Sequence, residues 1–472
     1  MLNRIANALR GRSFDRPDAE APHAMEASRN GRRSRAIPRM AHVNAARDGA
    51  ASARQRARAL YFNNSWVQRG VESLIAGVVG QGLKPRPQHP DPTVREDAAR
   101  LWAAWNEQAD VEGALTFGGL QGQIVREVVI AGECFVRRRP GADTLAAPVQ
   151  LQVLPSEQCD EGLHQDFEDG RRIRSGIEMD AEGRRLAYHL FEGVPGDSGF
   201  DLKRVRVPAG EVFHVYRAVA PGQIRGVSQL ASVLQRATSL DAYEDAELER
   251  MKVASYFVGF VRKAEGDPFG DESDQGTDSD TGLAPMEPGL LQYLDDGEDV
   301  TFADPPDAGA TDFKRHNLRA MAAGIGVPFE AMTGDLADVN YSSIRAGIVE
   351  FRRHAAIWQD LLRHQLCDPT WREFTRAAVM AGSLPVDQFQ ALQAVRWLPP
   401  RWEWVDPSKD AKAEAEHIAS GLKSRSEAIT ERGRDPEEVD AEIAADQERA
   451  QRLGLSFASA PVQDKGTGDA SE

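Results

Sequence analysis

The sequence predicts an α+β fold: a mainly antiparallel sheet, followed by long helices that one copy of the chain cannot fully bury. Three observations carry this. Residues 90–217 hold two helical patterns and then five strand patterns separated by turn residues. The stretch from about Ser228 to Tyr256 has helical spacing but is polar on most sides around Asp241–Glu247, and a lone helix of that kind needs neighbours. The chain has 472 residues, a length for two or three domains, yet only 41% are hydrophobic, so part of it is expected to be extended, disordered or ordered only by partner subunits.

The first 53 residues read as a basic flexible arm. Residues 1–60 hold 13 Arg against 5 acidic residues, a local balance of +8, in Ala/Arg/Ser/Pro/Asn-rich sequence. Such an arm can touch nucleic acid or an acidic protein, or remain a solvated tail. Gly77–Gly82 has glycines without the spacing of a dinucleotide loop and reads as a helix end. Thr93-Val94-Arg95-Glu96 fits a capping box opening a helix to about Gln108, with Leu101, Trp102 and Trp105 on its apolar face. Leu120, Ile124 and Val128 mark a second helix to Ala131. Strands are expected at Glu133–Arg137, Val149–Leu154, Ile173–Glu178, Arg185–Phe191 and Val212–Tyr216, with a hairpin turn at Ala181-Glu182-Gly183.

Ser228 can cap the long polar helix, which would be on the order of 40 Å long. Residues 264–312 then carry 15 Asp+Glu and no Lys or Arg. Their first part is Gly/Asp/Ser-rich and loop-like. Pro288–Leu294 and Val300-Thr301-Phe302 read as a hairpin through Asp295-Asp296-Gly297. A helix over Asp312–Gly324 is stopped by Val327-Pro328. Another starts at Ser342 or Ser343 and runs to about Cys367, its stripe of Ile344, Ile348, Phe351, Ala355, Trp358 and Leu362 reading as core. Helices near 386–395, 408–420 and 424–452 follow, the last broken at Arg434-Asp435-Pro436 and capped by Ser424 with Glu427. Residues from 456 read as a disordered tail.

Composition narrows function. A formal charge of −16 argues against a protein that grips nucleic acid over its whole surface. Cys134, Cys159 and Cys367 are far apart, so neither a disulfide framework nor a zinc site is expected, and a reducing compartment is. No stretch is long and apolar enough to span a membrane; the most apolar, Gly70–Leu83, is short and holds Glu72. There is no GxxxxGK[ST], HExxH or GxSxG motif, and His189 and His214 sit in strand patterns as surface or core residues. No cofactor and no metal site is expected; Asp278-Ser279-Asp280 lies in low-complexity sequence.

Four segments in order resemble the lambda-type family of tailed-bacteriophage portal proteins. Arg56–Trp66, with Asn63-Asn64, leads into Val79-Gly80-Gln81-Gly82, similar to that family's "R.R.L..NN" and "VG.G". Phe213-His214 with Gly222-Gln223-Ile224-Arg225-Gly226-Val227-Ser228 is similar to "H…GQ.RG.S". Gly334-Asp335 with Asn340-Tyr341-Ser342-Ser343-Ile344-Arg345 is similar to "GD…NYSS.R". Trp404–Ala411, Gly421-Leu422-Lys423-Ser424 and Gly433-Arg434-Asp435-Pro436 resemble "W.DP.KDA…GL.S…G.D". The resemblance spans roughly residues 54–440.

The resemblance implies a portal-type fold assembled into a ring of twelve. Residues 54–227 would form an α+β wing. Residues 228–257 and 312–326 would form paired stem helices, and 258–311 a small α/β clip. A tunnel loop at 327–343 would line the channel, 344–384 would return through the wing, and 385–455 would make a helical crown. Asp335, Asp338, Asn340 and Tyr341 would face DNA in the tunnel loop. Asp295, Asp296, Glu298 and Asp299 would dock partners at the clip. The implied partners are further copies of the chain, the large terminase subunit, a head–tail connector protein, the major capsid and scaffold proteins, and double-stranded DNA passing non-specifically. The implied location is the portal vertex of the virion, and the host cytoplasm during assembly. Acidic walls suit a channel, because each Lys or Arg paired with phosphate adds salt-dependent adhesion. The competing reading is a metal-dependent nuclease or phosphatase using Asp295, Asp296, Glu298 and Asp299; those residues surround a turn, without a second cluster to complete a site.

Overall fold

The computed structural model describes residue 44 and residues 49–142, 144–196, 201–255, 259–263, 298–302, 310–337, 340–403 and 406–455. Helices α1 (Ala50–Asn63) and α2 (Ser65–Val78) open the chain, and a short strand β1 (Lys84–Pro87) follows. Helix α3 spans Pro92–Asn106. Its cap is Asp91, which accepts from the Thr93 N–H at 2.9 Å, and not Thr93. Pro92 at the first helical position explains the shift: its fixed φ starts the helix before the expected capping box. Helix α4 (Phe117–Ala131) is capped by Thr116 and ended by Gly132 at φ +98.

Strands β2 (Glu133–Pro140), β3 (Val149–Leu154) and β9 (Val212–Tyr216) make an antiparallel sheet in the order β3-β2-β9. A second antiparallel sheet runs β4 (Gln165–Asp166), β5 (Arg172–Arg174), β6 (Ile177–Met179), β7 (Arg185–Phe191) and β8 (Arg204–Pro208). The strand expected at Ile173–Glu178 is thus two strands. A turn at Ser175 (φ 51) and Gly176 (φ 77) divides it and turns the Ser175 carbonyl onto Arg225 at 2.9 Å. A small core joins the two sheets: Phe135, Leu154, Cys159, Ile177, Tyr188, Leu190 and Val207 are all buried.

Ser228 caps a 3-10 turn, Gln229–Ser232, and helix α5 (Leu234–Ser255) follows. Strand β10 (Gly259–Lys263) pairs antiparallel with β11 (Glu298–Phe302). The partner of Val300–Phe302 among the described residues is therefore β10; the segment expected to pair with it, 288–294, lies outside them, as does the turn at 295–297. Helix α6 (Ala310–Ile325) runs back beside α5, and a short helix α7 (Phe329–Thr333) lies within the stretch 327–343.

Helix α8 (Tyr341–Leu362) is capped by Asn340, whose side chain accepts from Ser343 N at 2.9 Å, so the expected cap at Ser342 or Ser343 is one turn late. One π turn, Arg363–Cys367, joins α8 to α9 (Asp368–Met380). The helix expected at 386–395 is a 3-10 turn and a single α turn, and Val395–Leu398 is strand β12, paired with β1. Helices α10 (Pro407–Ala419), α11 (Arg425–Glu431) and α12 (Pro436–Leu453) complete the chain.

The large core gathers α1–α4, the bases of α5 and α6, α8 and α9. At its centre Trp102 meets Trp105, Phe117, Trp371, Phe374 and Trp397 with ring centroids 4.7–5.8 Å apart. Two of the buried indoles donate to backbone carbonyls, Trp105 to Val149 O (2.7 Å) and Trp371 to Leu392 O (2.9 Å), while the buried Trp358 Nε1 has no acceptor among the described residues. No described helix is long and apolar enough to cross a membrane.

Candidate functional site

Two places concentrate the residues singled out by the sequence. The first is the junction where the sheets hand the chain to α5. Glu133, the first residue of β2, is fully buried. Its Oε1 accepts from Arg225 Nε (2.6 Å) and Ser156 Oγ (2.8 Å), and its Oε2 from Gly226 N (2.9 Å) and His214 Nε2 (2.8 Å). The Arg225 guanidinium is spent in full: Nη1 donates to Cys159 O (3.3 Å) and Ser175 O (2.9 Å), Nη2 to Ser156 O (3.0 Å). Complete burial alone would raise the Glu133 carboxyl, but the adjacent Arg225 charge and the bonds from His214 and Gly226 hold it well below the usual carboxylate range. Burial pushes the His214 imidazole down to about 4. An ionised carboxylate only accepts, so Nε2 carries the His214 proton, while Nδ1 is buried with no partner among the described residues. A second proton there would be a donor with nothing to bond.

Backbone geometry at this junction requires glycine. A Cβ at Gly226 would overlap the Gly132 carbonyl, and one at Gly132 would sit 2.5 Å from Val227 C. The chain entering the stem thus runs in contact with the turn that ends α4. Gln223 closes the preceding loop, accepting from Val219 N (2.8 Å) and donating to Arg225 O (2.8 Å). On the far side, Gln229 Nε2 donates to Ile325 O (2.6 Å), and His354 Nδ1 lies 2.9 Å from Gly326 O. The "GQ.RG.S" segment is therefore a mount for the start of α5, and its polar groups are spent on one another.

The second place is the helix pair α5 and α6, expected as the stem, and the loop after it. Tyr243 and Phe313 meet as tilted rings with centroids 4.6 Å apart, Lys314 pairs with Glu244 at 2.6 Å, and Arg236 donates to Asn317 at 2.8 Å. Asn64 caps α2 through Val67 N (2.8 Å) and donates to Asp241 of α5 (2.5 Å), so the "NN" segment also braces the stem. Leu248, Met251 and Phe313 remain largely exposed.

Of the loop residues, Asp335 follows Gly334 (φ 73), accepts from Ala337 N (2.9 Å) and lies 3.3 Å from Arg315 of α6. Asn340 is the cap of α8 and Tyr341 is its first residue; Asp338 lies outside the described residues. The structure brings Asp335 to the stem and leaves Asn340 to hold helix geometry. Phe329–Thr333 is anchored to the body: Met332 is fully buried, and Ala331 O accepts from Ser73 Oγ at 2.9 Å. Of the expected clip residues, Asp295 and Asp296 lie outside the described residues. Glu298 and Asp299 lie on β11, in register with Lys263 and Arg262 of β10. The acidic count of 264–312 therefore ends against two basic positions just before it, a pairing that only the strand register reveals.

Remaining motif residues are caps and crossings as well. Arg345 of α8 reaches Asp410 of α10 at 3.4 Å, and Asp406 caps α10. Ser424 caps α11, Asp435 caps α12, and Asp435 also holds Arg86 of β1 at 2.8 Å. Sequence reasoning missed Glu133, Ser156 and Arg54. The last is a buried arginine paired with Glu161 and donating to Ala131 O at 3.4 Å. For Glu133 the signal was a charged residue inside the otherwise apolar run 128–136; Ser156 and Arg54 carried none. Among the described residues no three His, Cys, Asp or Glu side chains are placed to hold a metal ion.

The mount and the helix pair are joints within a structural scaffold, and the comparisons with known proteins give its class, a phage portal protein. Residues 29–359 match the family described as "Phage portal protein, lambda family", and the chain belongs to that family. Over 425 residues it is 27% identical to the "Probable portal protein" of Halomonas phage phiHAP-1, covering 85% of this chain and 81% of that protein. It is 24% identical to "Portal protein B" of Escherichia phage lambda, covering 85% of this chain and 84% of that one. Among solved structures, a chain of the "Neck of native GTA particle computed with C12 symmetry" aligns over 87% of this chain and 94% of its own, at 14% identity and a TM-score of 0.46. Family membership makes the chain a structural component of a phage-type virion and decides against the nuclease or phosphatase reading.

Proposed function

We propose that twelve copies of the chain close into a ring at one capsid vertex, through which DNA is packaged and ejected. In this reading 54–227 is the wing, 228–257 and 312–326 the stem, 258–311 the clip, 327–343 the tunnel loop, 344–384 the return through the wing and 385–455 the crown. The basic arm at 1–53 and the tail at 456–472 lie outside these parts. The clip docks the large terminase subunit and later a head–tail connector protein, and the wing and crown meet capsid and scaffold proteins. The ring resides at the portal vertex, after assembly in the host cytoplasm. The observation that carries the reading is membership of the portal family across 29–359. The exposed apolar side chains Leu248, Met251 and Phe313 on an otherwise polar stem pair support lateral packing of copies.

Native mass spectrometry and negative-stain averages of the purified chain test it. Closed rings of hundreds of kilodaltons are expected against a chain mass of 51.8 kDa; monomers or dimers at all concentrations and salt conditions would overturn it. Two charge changes probe the parts. Replacing Asp295, Asp296, Glu298 and Asp299 by Asn or Gln should slow association with the motor or connector at low salt and matter less at high salt. Asp335→Lys with Asp338→Lys adds two lysines per copy, 24 in a ring of twelve (2 × 12), so rings should assemble while DNA adheres in a salt-dependent way and packaging falls. Packaging at wild-type yield by such rings would remove the tunnel-loop assignment.

A further inference from the structure

We infer that the buried Glu133–Arg225 pair is the device that fixes the angle of the stem on the wing, and so the number of copies that close the ring. The inference rests on the ring reading above and goes beyond it by naming the residues that set closure.

The stem enters and leaves the body through one small region. Residues 226–233 enter it and 324–327 leave it. The entering strand is clamped to the wing by Arg225 and Gly226 against Glu133 and Gly132. Its other side holds the exit: Gln229 donates to Ile325 O at 2.6 Å, and a Cβ at Gly324 would overlap Val233. His354 of α8 lies 2.9 Å from Gly326 O and completes the clamp. The bases of α5 and α6 pack without directional bonds into the large core, and the polar contacts farther along are side-chain pairs. The mount is thus the place where a small rotation becomes a large displacement at the far end of α5, a helix of 22 residues.

A buried ion pair contributes little net stability compared with apolar groups of the same shape, because desolvation offsets attraction. What it does supply is direction. Arg225 donates to carbonyls of Ser156, Cys159 and Ser175 and to Glu133, which are four fixed points on three wing segments. Rotating the entering strand breaks several of these bonds together, inside a region without water to replace them. Closure is sensitive to this angle: rings of twelve and thirteen differ by roughly 2° per subunit step (360/12 against 360/13). An apolar pair filling the same volume would tolerate such a rotation; the guanidinium fork does not.

The test replaces direction while keeping volume, using the full chain as Glu133→Leu with Arg225→Met, and Arg225→Lys as a milder change that keeps charge and loses the fork. Native mass spectrometry reads the distribution of ring sizes. The wild type is expected to give one stoichiometry and the variants two or more, or open arcs, with far-ultraviolet circular dichroism unchanged. Folded double-variant rings of the single wild-type size would overturn the inference. If the double variant does not fold, Arg225→Lys decides by the same criterion.

Hydrogen exchange on unassembled chain separates this idea from the ring reading. Amides of 226–233 and 324–327 should exchange about tenfold faster in Arg225→Lys, while those of β7 and α9 keep their rates. Unchanged exchange at the mount would overturn the latch even if the ring is confirmed. Faster exchange there in a chain that never forms rings would leave the latch standing as a mount and remove the ring reading.

Discussion

The mount of the stem and the free faces of the stem are built on opposite principles. At the mount, Glu133, Arg225, His214 and Ser156 are buried, bonded to one another, and crossed by two glycines that admit no side chain. Along α5, acidic and basic side chains pair at the surface, with Glu247 to Arg250 and Glu249 to Lys252, and apolar Leu248 and Met251 face outward. The residues by which the family is recognised lie in both kinds of place: His214, Gln223 and Arg225 are buried, while Asn340, Ser342 and Ser424 are exposed. They cap helices, cross backbones or tie one segment to another. The difference teaches that directional, buried bonds join the parts of this subunit, while the faces of α5 carry mixed charge and exposed apolar side chains.

The contrast can be broken most severely at Arg225. Arg225→Met leaves Glu133 buried without its countercharge and should lower unfolding free energy by about 3–5 kcal/mol. Denaturant midpoints of the unassembled chain measure this, and a loss near that of a surface change would mean that water reaches the pair. Gly226→Ala drives a methyl into the Gly132 carbonyl and should cost about 2–3 kcal/mol. Gly222→Ala sharpens the same point: at φ +72 with open space around it, only backbone strain opposes the side chain, about 1 kcal/mol. Equal losses at the two positions would remove the steric account of the crossing.

Acid should loosen the mount before the stem surface. His214 is held down at about 4 in the folded chain against an ordinary 6.5, so the unfolded chain binds the extra proton first. Its contribution to stability is complete above pH 6.5 and is lost as pH falls from there towards 4. Glu133, held below its ordinary 4.5, contributes above that pH and adds a further loss on greater acidification. His214→Gln, which keeps a donor towards Glu133 and cannot titrate, should flatten the decline between pH 6.5 and 5 in midpoint-against-pH profiles. A slope identical to wild type would assign the decline to other groups. The smallest effect is expected outside the mount: Asp335→Asn loosens a half-exposed pair with Arg315, for about 0.5 kcal/mol. A loss several times larger would show that this loop is part of the folded core.

Much of the fold was legible in the sequence, and the reasons are local. Val149–Leu154, Arg185–Phe191 and Val212–Tyr216 appear as strands at the expected residues, because alternation and turn residues bound them. Ser424 caps its helix as expected, since a capping side chain acts within one turn. Arg204–Pro208 escaped notice although Val205 and Val207 alternate with arginines, because edge strands carry charge where core strands carry apolar residues. Val395–Leu398 was not expected as a strand, and the helix expected at 386–395 ran into its first residue, because its partner, Lys84–Pro87, lies some 300 residues away (395 − 87 = 308). No local pattern reports a pairing of that separation.

By itself, then, the sequence determined the elements whose signals are local, and the order of motifs that marks the portal family. It also marked the helix from Ser228 as one that needs neighbours, because it is polar on most sides. Only the tertiary structure decided what the motif residues do. It put Glu133, Ser156, His214 and Arg225 into one buried network, set Arg345 against Asp410, and placed Arg262 and Lys263 in register with Asp299 and Glu298. The physical reason is that desolvation and hydrogen-bond direction act between groups far apart in sequence. A charged residue reads the same in a one-dimensional pattern whether it ends in water or at the centre of a core.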